Sequence, residues 1–265
     1  MSKLLITILG TGNVATHLTR FFTESDGARV NEIYGRTVAD ASKLAEFAGC
    51  GFTDRVSALC RDSRVYILAV SDDAVEKVAS ELPDLKGAVV HTSGSLGLDV
   101  LNRFSSCGVF YPLQTFSKSK PVDWSRVVVC VEGSDQKTED LLCDLARDRT
   151  KKVEIVNSES RAVLHIAAVF ACNFSNHMFA ISHELLRKKG MSFDMMESLV
   201  RETVDKAFAR EPGRVQTGPA IRGDEGILKK HREYLAGKKG MLTLYNKISQ
   251  SILNTKNQNN EHNKH

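Results

Sequence analysis

The stretch Leu4-Leu5-Ile6-Thr7-Ile8-Leu9-Gly10-Thr11-Gly12-Asn13-Val14-Ala15 decides the fold. Leu4 to Leu9 is a short apolar run ending at a glycine, the pattern of a strand buried on both faces. Asn13 to Phe22 then sets Val14, Leu18, Phe21 and Phe22 on one side of a helix. Between the two, Gly10, Gly12 and Ala15 stand at GxGxxA spacing. Gly10 permits a tight turn, Gly12 lets a pyrophosphate approach the backbone, and Ala15 lets the helix pack closely on the strand. Phosphates are favoured by the free N–H groups and dipole of the helix start, which makes Gly10, Thr11, Gly12, Asn13 and Val14 candidate dinucleotide contacts.

Working outward, a second strand (Asn31 to Tyr34) ends at Gly35-Arg36-Thr37. Domains that bind NAD carry Asp or Glu here, about 20 residues beyond the glycines, for the ribose hydroxyls. Arg36 instead offers a guanidinium that can stack on adenine and grip a 2′-phosphate, and Thr37 adds a hydroxyl. NADP is therefore expected over NAD. A helix is predicted over Ala39 to Ala48 and a strand over Val65 to Val70, where Val70 and Ser71 meet the ligand crevice. Asp73 is expected to cap the next helix, Asp73 to Leu82. A strand over Ala88 to His91 leads into His91-Thr92-Ser93-Gly94-Ser95. Ser93 is a candidate for the nicotinamide carboxamide and Ser95 for substrate, with a plain serine-rich turn as the alternative. Strands at Val109 to Tyr111, Val127 to Val131 and Val153 to Val156, with a helix over Thr138 to Asp148, complete the first half. The alternation predicts an α/β domain over 1–157 with a mainly parallel sheet.

From Ser158 no strand is expected, and 158–254 reads as an all-α domain. Ser158 to Lys189 is predicted as one long apolar helix, to be buried by other helices or by a second subunit. His165, Asn173, Asn176 and His177 stand out on it. His165 is the candidate general acid, because imidazole titrates near neutral pH. Asn173 is the candidate for a substrate oxygen. Gln114, in Tyr111-Pro112-Leu113-Gln114-Thr115-Phe116, and His177 are further candidate substrate contacts. In the Gly- and Pro-containing loop before Asp224, Arg222 could hold a carboxylate or phosphate, and Asp224 could cap the following helix. The polar residues 255–265 are expected to be disordered.

Composition bounds the function. Of 265 residues 42% are hydrophobic and 26% charged, as in globular proteins at large. A net charge of +4 without a basic tract does not imply nucleic acid. The six cysteines show neither CxxC spacing nor a cluster with histidine, so no metal site is expected and reduced, cytoplasmic thiols are the simple reading. The N-terminus lacks the pattern of a signal peptide, and no stretch is expected to reach the length of a membrane span.

Gly10 to Ala15, His91 to Ser95, Tyr111 to Phe116, the His165 to His177 helix and Gly218-Pro219-Ala220-Ile221-Arg222-Gly223-Asp224 together resemble a family of Rossmann-like proteins with a helical C-terminal domain. Its members are labelled NADP oxidoreductase, coenzyme F420-dependent, or domain of unknown function. The resemblance covers nearly the whole chain. It implies the superfamily fold of 6-phosphogluconate dehydrogenase, ketopantoate reductase and pyrroline-5-carboxylate reductase, and homodimers joined through the helical domain. Where β-hydroxyacid dehydrogenases of that superfamily carry Lys and, four residues on, Asn, this chain has Arg161 and His165. The expected function is NADP(H)-dependent hydride transfer to or from a small carbonyl or imine, with a non-catalytic NADP-binding sensor or scaffold as the alternative.

Overall fold

The computed structural model describes residues 3–262, with side chains described through Thr255. The chain divides into two compact units, Met1–Asn173 and Phe174–His265.

The first unit contains β1 (Leu4–Leu9), α1 (Asn13–Thr23), β2 (Ala28–Tyr34), α2 (Val38–Ala48), β3 (Gly51–Thr53), β4 (Val65–Leu68) and α3 (Asp72–Glu81). It continues with β5 (Ala88–His91), β6 (Cys107–Leu113), β7 (Val128–Gly133), α4 (Gln136–Arg147), β8 (Val153–Ile155) and α5 (Ser158–Ala168). All eight strands join one sheet, ordered β3-β2-β1-β4-β5-β6-β7-β8. Every neighbouring pair is parallel except β6 and β7, where Tyr111 faces Cys130 across an antiparallel ladder. The reversal follows from the link between them, which has only a short 3₁₀ turn and no crossover helix to bring the chain back parallel.

β4 shows why the strands read as apolar runs. Val65 and Ile67 enter one core with Phe21, Phe22 and Phe110, while Tyr66 and Leu68 enter the other with Leu9, Val75 and Leu101. Successive side chains alternate between faces, so a sheet covered on both sides needs apolar residues at every position. The edge strand β3 was not expected; three residues are too few to show a period. The helix after β4 starts one residue earlier than expected, with Ser71 at the N-cap. Asp73 is thus not the cap.

α5 continues through a π-helical segment, Val169–Phe174, into α6 (Ser175–Arg187). The expected long helix is present, but six of its residues are wound as π-helix. Over Ser158–Arg187 it is long and apolar enough to cross a membrane by length and composition, with a mean hydropathy of 1.3 in its most apolar window. That corrects the expectation that no stretch reaches such a length. His165, Asn173, Asn176 and His177 interrupt the apolar run and hide its length in the sequence. None of that window is buried within this chain, so the expected burial by the chain's own helices does not occur. α5 belongs to the sheet unit because its first turn is bonded to β7: Ser158 N–H donates to Glu132 Oε1 at 3.0 Å.

The second unit adds α7 (Glu197–Ala209), α8 (Pro219–Arg222), α9 (Glu225–Leu235) and α10 (Lys239–His262). Asp224 caps α9 by accepting from the Ile227 N–H at 3.2 Å, as read from the sequence. Leu228 and Leu235 are buried beneath α9, and His231 Nδ1 meets Tyr245 Oη at 2.9 Å across α9 and α10. α10 runs through most of the segment expected to be disordered, since no Gly or Pro stops it after Leu253. Residues 263–265 of that segment lie outside the described residues.

Candidate active site

The β1–α1 turn opens a cleft of roughly 670 Å³ at the C-terminal ends of β1, β2 and β4. Gly10 has φ +132°, and a Cβ there would lie 2.3 Å from the Ala69 carbonyl oxygen, so only glycine fits. Gly12 is different. A Cβ there would meet nothing within 4 Å, because it would project into open space. Nothing in the protein itself requires glycine at this position. Gly12 is also the N-cap of α1 and supplies no side-chain cap, so the first amides of the helix stay free for an anion. Gly10, Thr11, Gly12, Asn13, Val14 and Arg36 line the cleft together, with Val70 and Ser71 opposite.

α3 contributes Lys77 and, one turn later, Glu81 to the same cleft. Neither was read from the sequence, where a lysine on an exposed helix face carries no distinguishing signal. Tyr34 also lines the cleft; burial first, then the nearby Glu81 carboxylate, raise its phenol above the ordinary range. Thr37 has a local task. It caps α2, its Oγ1 accepting from the Asp40 N–H at 3.2 Å and donating to the Asp40 carboxylate at 2.8 Å.

A second polar cluster forms where β5, β6 and α5 meet. His165 Nδ1 lies 3.0 Å from Tyr111 Oη. Gly94 is wedged against both: a Cβ there would sit 2.5 Å from His165 Nδ1 and 2.8 Å from Tyr111 Cζ. The turn that holds Gly94 is closed by Ser93, whose Oγ accepts from the Ser95 and Leu96 N–H groups at 3.1 and 3.0 Å. Ser95 Oγ donates to Asp72 Oδ2 at 2.5 Å, tying this turn to the start of α3. Beneath it, His91 Nδ1 accepts from the Ser93 N–H at 3.1 Å while Nε2 donates to the Gly97 carbonyl at 3.2 Å. That pattern needs the neutral ring. Burial, and next the Arg161 charge, hold His91 down at about 4.

Arg161 lies one turn before His165 and is fully buried. Its guanidinium pairs with Glu132 on β7 and donates to the Leu96 carbonyl and to Ser158 Oγ. The residue at the position of the dehydrogenase lysine is thus an anchor that fixes α5 on the sheet and so sets the place of His165. Burial of Tyr111 raises its phenol above the ordinary range.

The remaining candidates lie elsewhere. Gln114 is exposed, and its Oε1 accepts from the Thr115 N–H at 2.8 Å, which pins the loop. Asn173 is exposed on the π-helical segment at the end of the first unit. His177 and Arg222 are exposed in the second unit, on α6 and at the end of α8. Among the described residues there is no cluster of His, Cys, Asp and Glu suited to a metal ion.

A glycine turn feeding an uncapped helix, at the C-terminal end of an interior strand of a mostly parallel sheet, defines a Rossmann-type dinucleotide-binding protein. Residues 5–91 match the family described as NADP oxidoreductase coenzyme F420-dependent, and residues 127–252 match a domain of unknown function, DUF2520. A solved structure from Bacteroides fragilis, provisionally assigned as an NADP oxidoreductase, is 35% identical over 95% of this chain and 98% of its own, with a TM-score of 0.87. The chain belongs to this family of NAD(P)-dependent oxidoreductases. A Thermotoga maritima protein, 24% identical over 96% of this chain and 99% of its own (TM-score 0.72), shares the fold. So does 1-pyrroline-5-carboxylate reductase from Streptococcus pyogenes, 13% identical over 95% of this chain and 99% of its own (TM-score 0.63). No curated protein matches the sequence.

Proposed function

We propose that the protein is an NADP(H)-dependent reductase that passes hydride between the nicotinamide and a small carbonyl or imine carbon. The observation that carries the cofactor choice is the pair of cations in the cleft. Arg36 follows β2 where an NAD-binding domain has a carboxylate, and Lys77 lines the same cleft from α3. Neither has an ion-pair partner among the described residues. Two cations suit the dianionic 2′-phosphate of NADP. When bound, the cofactor supplies the hydride. The chain supplies the rest. The free amides of α1 hold the pyrophosphate, Arg36 and Lys77 select the phosphorylated ribose, and His165 delivers the proton that accompanies hydride.

The same reading makes the active species a cytoplasmic homodimer. Along α5 and the π-helical segment, Val163, Ile166 and Phe170 are 65%, 58% and 65% exposed, and on α7 Leu199 and Phe208 are 60% and 90% exposed. Apolar exposure on that scale, in each unit separately, marks faces that a partner covers. A second copy accounts for it better than a lipid bilayer, because His165, Asn173, Asn176 and His177 would meet hydrocarbon in a span.

The test is titration with NADPH and NADH followed by fluorescence, in wild type and in Arg36→Ala and Lys77→Ala. Each lost charge-assisted hydrogen bond to phosphate is worth about 1.5–3 kcal/mol, so each variant should weaken NADPH by at least about tenfold and leave NADH little changed. Equal affinity of the wild type for both nucleotides would remove the NADP assignment. Binding of neither would remove the reductase.

A further inference from the structure

His165 is held on one side only. Its Nδ1 edge faces Tyr111 Oη at 3.0 Å and abuts the Gly94 backbone, while Nε2 has no hydrogen-bond partner among the described residues. The rings of Tyr111 and His165 meet edge to face, with centroids 6.1 Å apart. Both side chains stand on fixed supports: Tyr111 in the β6–β7 ladder, and His165 one turn from the buried Arg161–Glu132 pair. We propose that Tyr111 is the positioning residue of the reaction, keeping Nε2 of His165 turned toward the substrate in both charge states of the ring. This rests on the reductase reading above.

The choice of a phenol has a physical reason. A carboxylate or carbonyl partner accepts only, so it would bind Nδ1 when protonated and repel its lone pair when bare. A hydroxyl both donates and accepts. In the imidazolium, Nδ1–H donates to Tyr111 Oη and Nε2–H faces the substrate heteroatom. As hydride adds to the substrate carbon, the C=O or C=N π pair moves onto the heteroatom, which takes the proton from Nε2. The ring is left neutral with its remaining proton on Nδ1, still bonded to Oη. Water then returns a proton to Nε2. Where the neutral ring instead shifts its proton to Nε2, the tyrosine hydroxyl turns and donates to Nδ1. The contact survives every state, and Nε2 never leaves the substrate side.

The experiment uses the full-length protein with ¹⁵N-labelled histidine, read by long-range proton–nitrogen spectra across the titration of the ring. Wild type is compared with Tyr111→Phe, which keeps the ring packing and removes Oη, and with Gly94→Ala, whose methyl would press on Nδ1. His165→Gln assigns the signals. Removal of the hydrogen bond should shift the Nδ1 resonance of His165 in both charge states of the ring, with the other histidines unmoved. Gly94→Ala should move the same nitrogen, and it decides the matter if Tyr111→Phe does not fold. His165 resonances unchanged in a folded Tyr111→Phe protein, or in Gly94→Ala where only that variant folds, overturn the proposal. NADPH titration of the same samples keeps the two readings apart. Loss of NADPH binding in wild type sinks the reductase, whereas the nitrogen shifts alone decide what holds His165.

Discussion

Acid should loosen this protein through His91. The ring is fully buried, accepts from the Ser93 N–H at Nδ1, and donates to the Gly97 carbonyl from Nε2. Arg161 opposes its protonation; Asp72 and Glu132 favour it less strongly. With the folded ring at about 4 and a free ring at 6.5, the unfolded chain binds the extra proton first as pH falls. Stability from the neutral ring is therefore complete above pH 6.5 and drains away down to pH 4. Linkage over that interval gives a loss of about 2 kcal/mol at pH 5 and about 3 kcal/mol at pH 4. The assay is urea unfolding at a series of pH values, for wild type and for His91→Asn, which keeps a neutral polar group at the site. Wild type should lose stability steadily between pH 6.5 and 4, and His91→Asn, though less stable at neutral pH, should lose about 3 kcal/mol less over that interval. Parallel curves for the two proteins would refute the argument, since the slope would then belong to other groups.

Other perturbations separate the parts. Gly10→Ala must place a Cβ 2.3 Å from the Ala69 carbonyl at φ +132°, so the turn should distort, with a lower melting temperature and NADPH binding lost in titration. Glu132→Gln leaves the buried Arg161 charge without its carboxylate, which should cost about 3–5 kcal/mol in chemical denaturation. Val163→Glu combined with Leu199→Glu places charges on the exposed apolar faces of α5 and α7. Sedimentation should show a dimer for wild type and a monomer for the double variant; a wild-type monomer would remove the dimer.

The cleft was legible in the sequence because its determinants are local. Gly10, Gly12 and Ala15 sit within six residues of one another, and their spacing records backbone constraints that any chain making this turn must meet. Arg36 was legible for a similar reason, standing at a fixed distance beyond the glycines. Lys77 was not, because its place in the cleft depends on how α3 lies against β4, and no spacing rule carries that. Tyr111 and His165 were each noticed, but 54 residues separate them, and only the ordering of β6 and α5 on the sheet brings them together. Arg161 read as a departure from a lysine mechanism. Its anchoring task depends on Glu132, 29 residues earlier on a strand whose antiparallel course the alternation of strands and helices did not foretell. The π-helical segment was invisible to a reading based on 3.6-residue spacing, since it changes the spacing itself.

The two polar centres of the first unit are joined by a side-chain hydrogen bond. Ser71 lines the nucleotide cleft, the next residue, Asp72, starts α3, and Lys77 projects from that helix into the same cleft. Asp72 also receives the Ser95 hydroxyl, and Ser95 belongs to the turn, closed by Ser93, that sets Gly94 against His165. The start of α3 is therefore linked to the imidazole through one short hydrogen bond and one buried glycine. Below that turn, His91 and Arg161 allow little slack: one needs to stay neutral, and the other is locked to Glu132. Under the proposed reductase reading, the nucleotide cleft and His165 therefore share one turn, which reads in the sequence as a bland serine-rich loop.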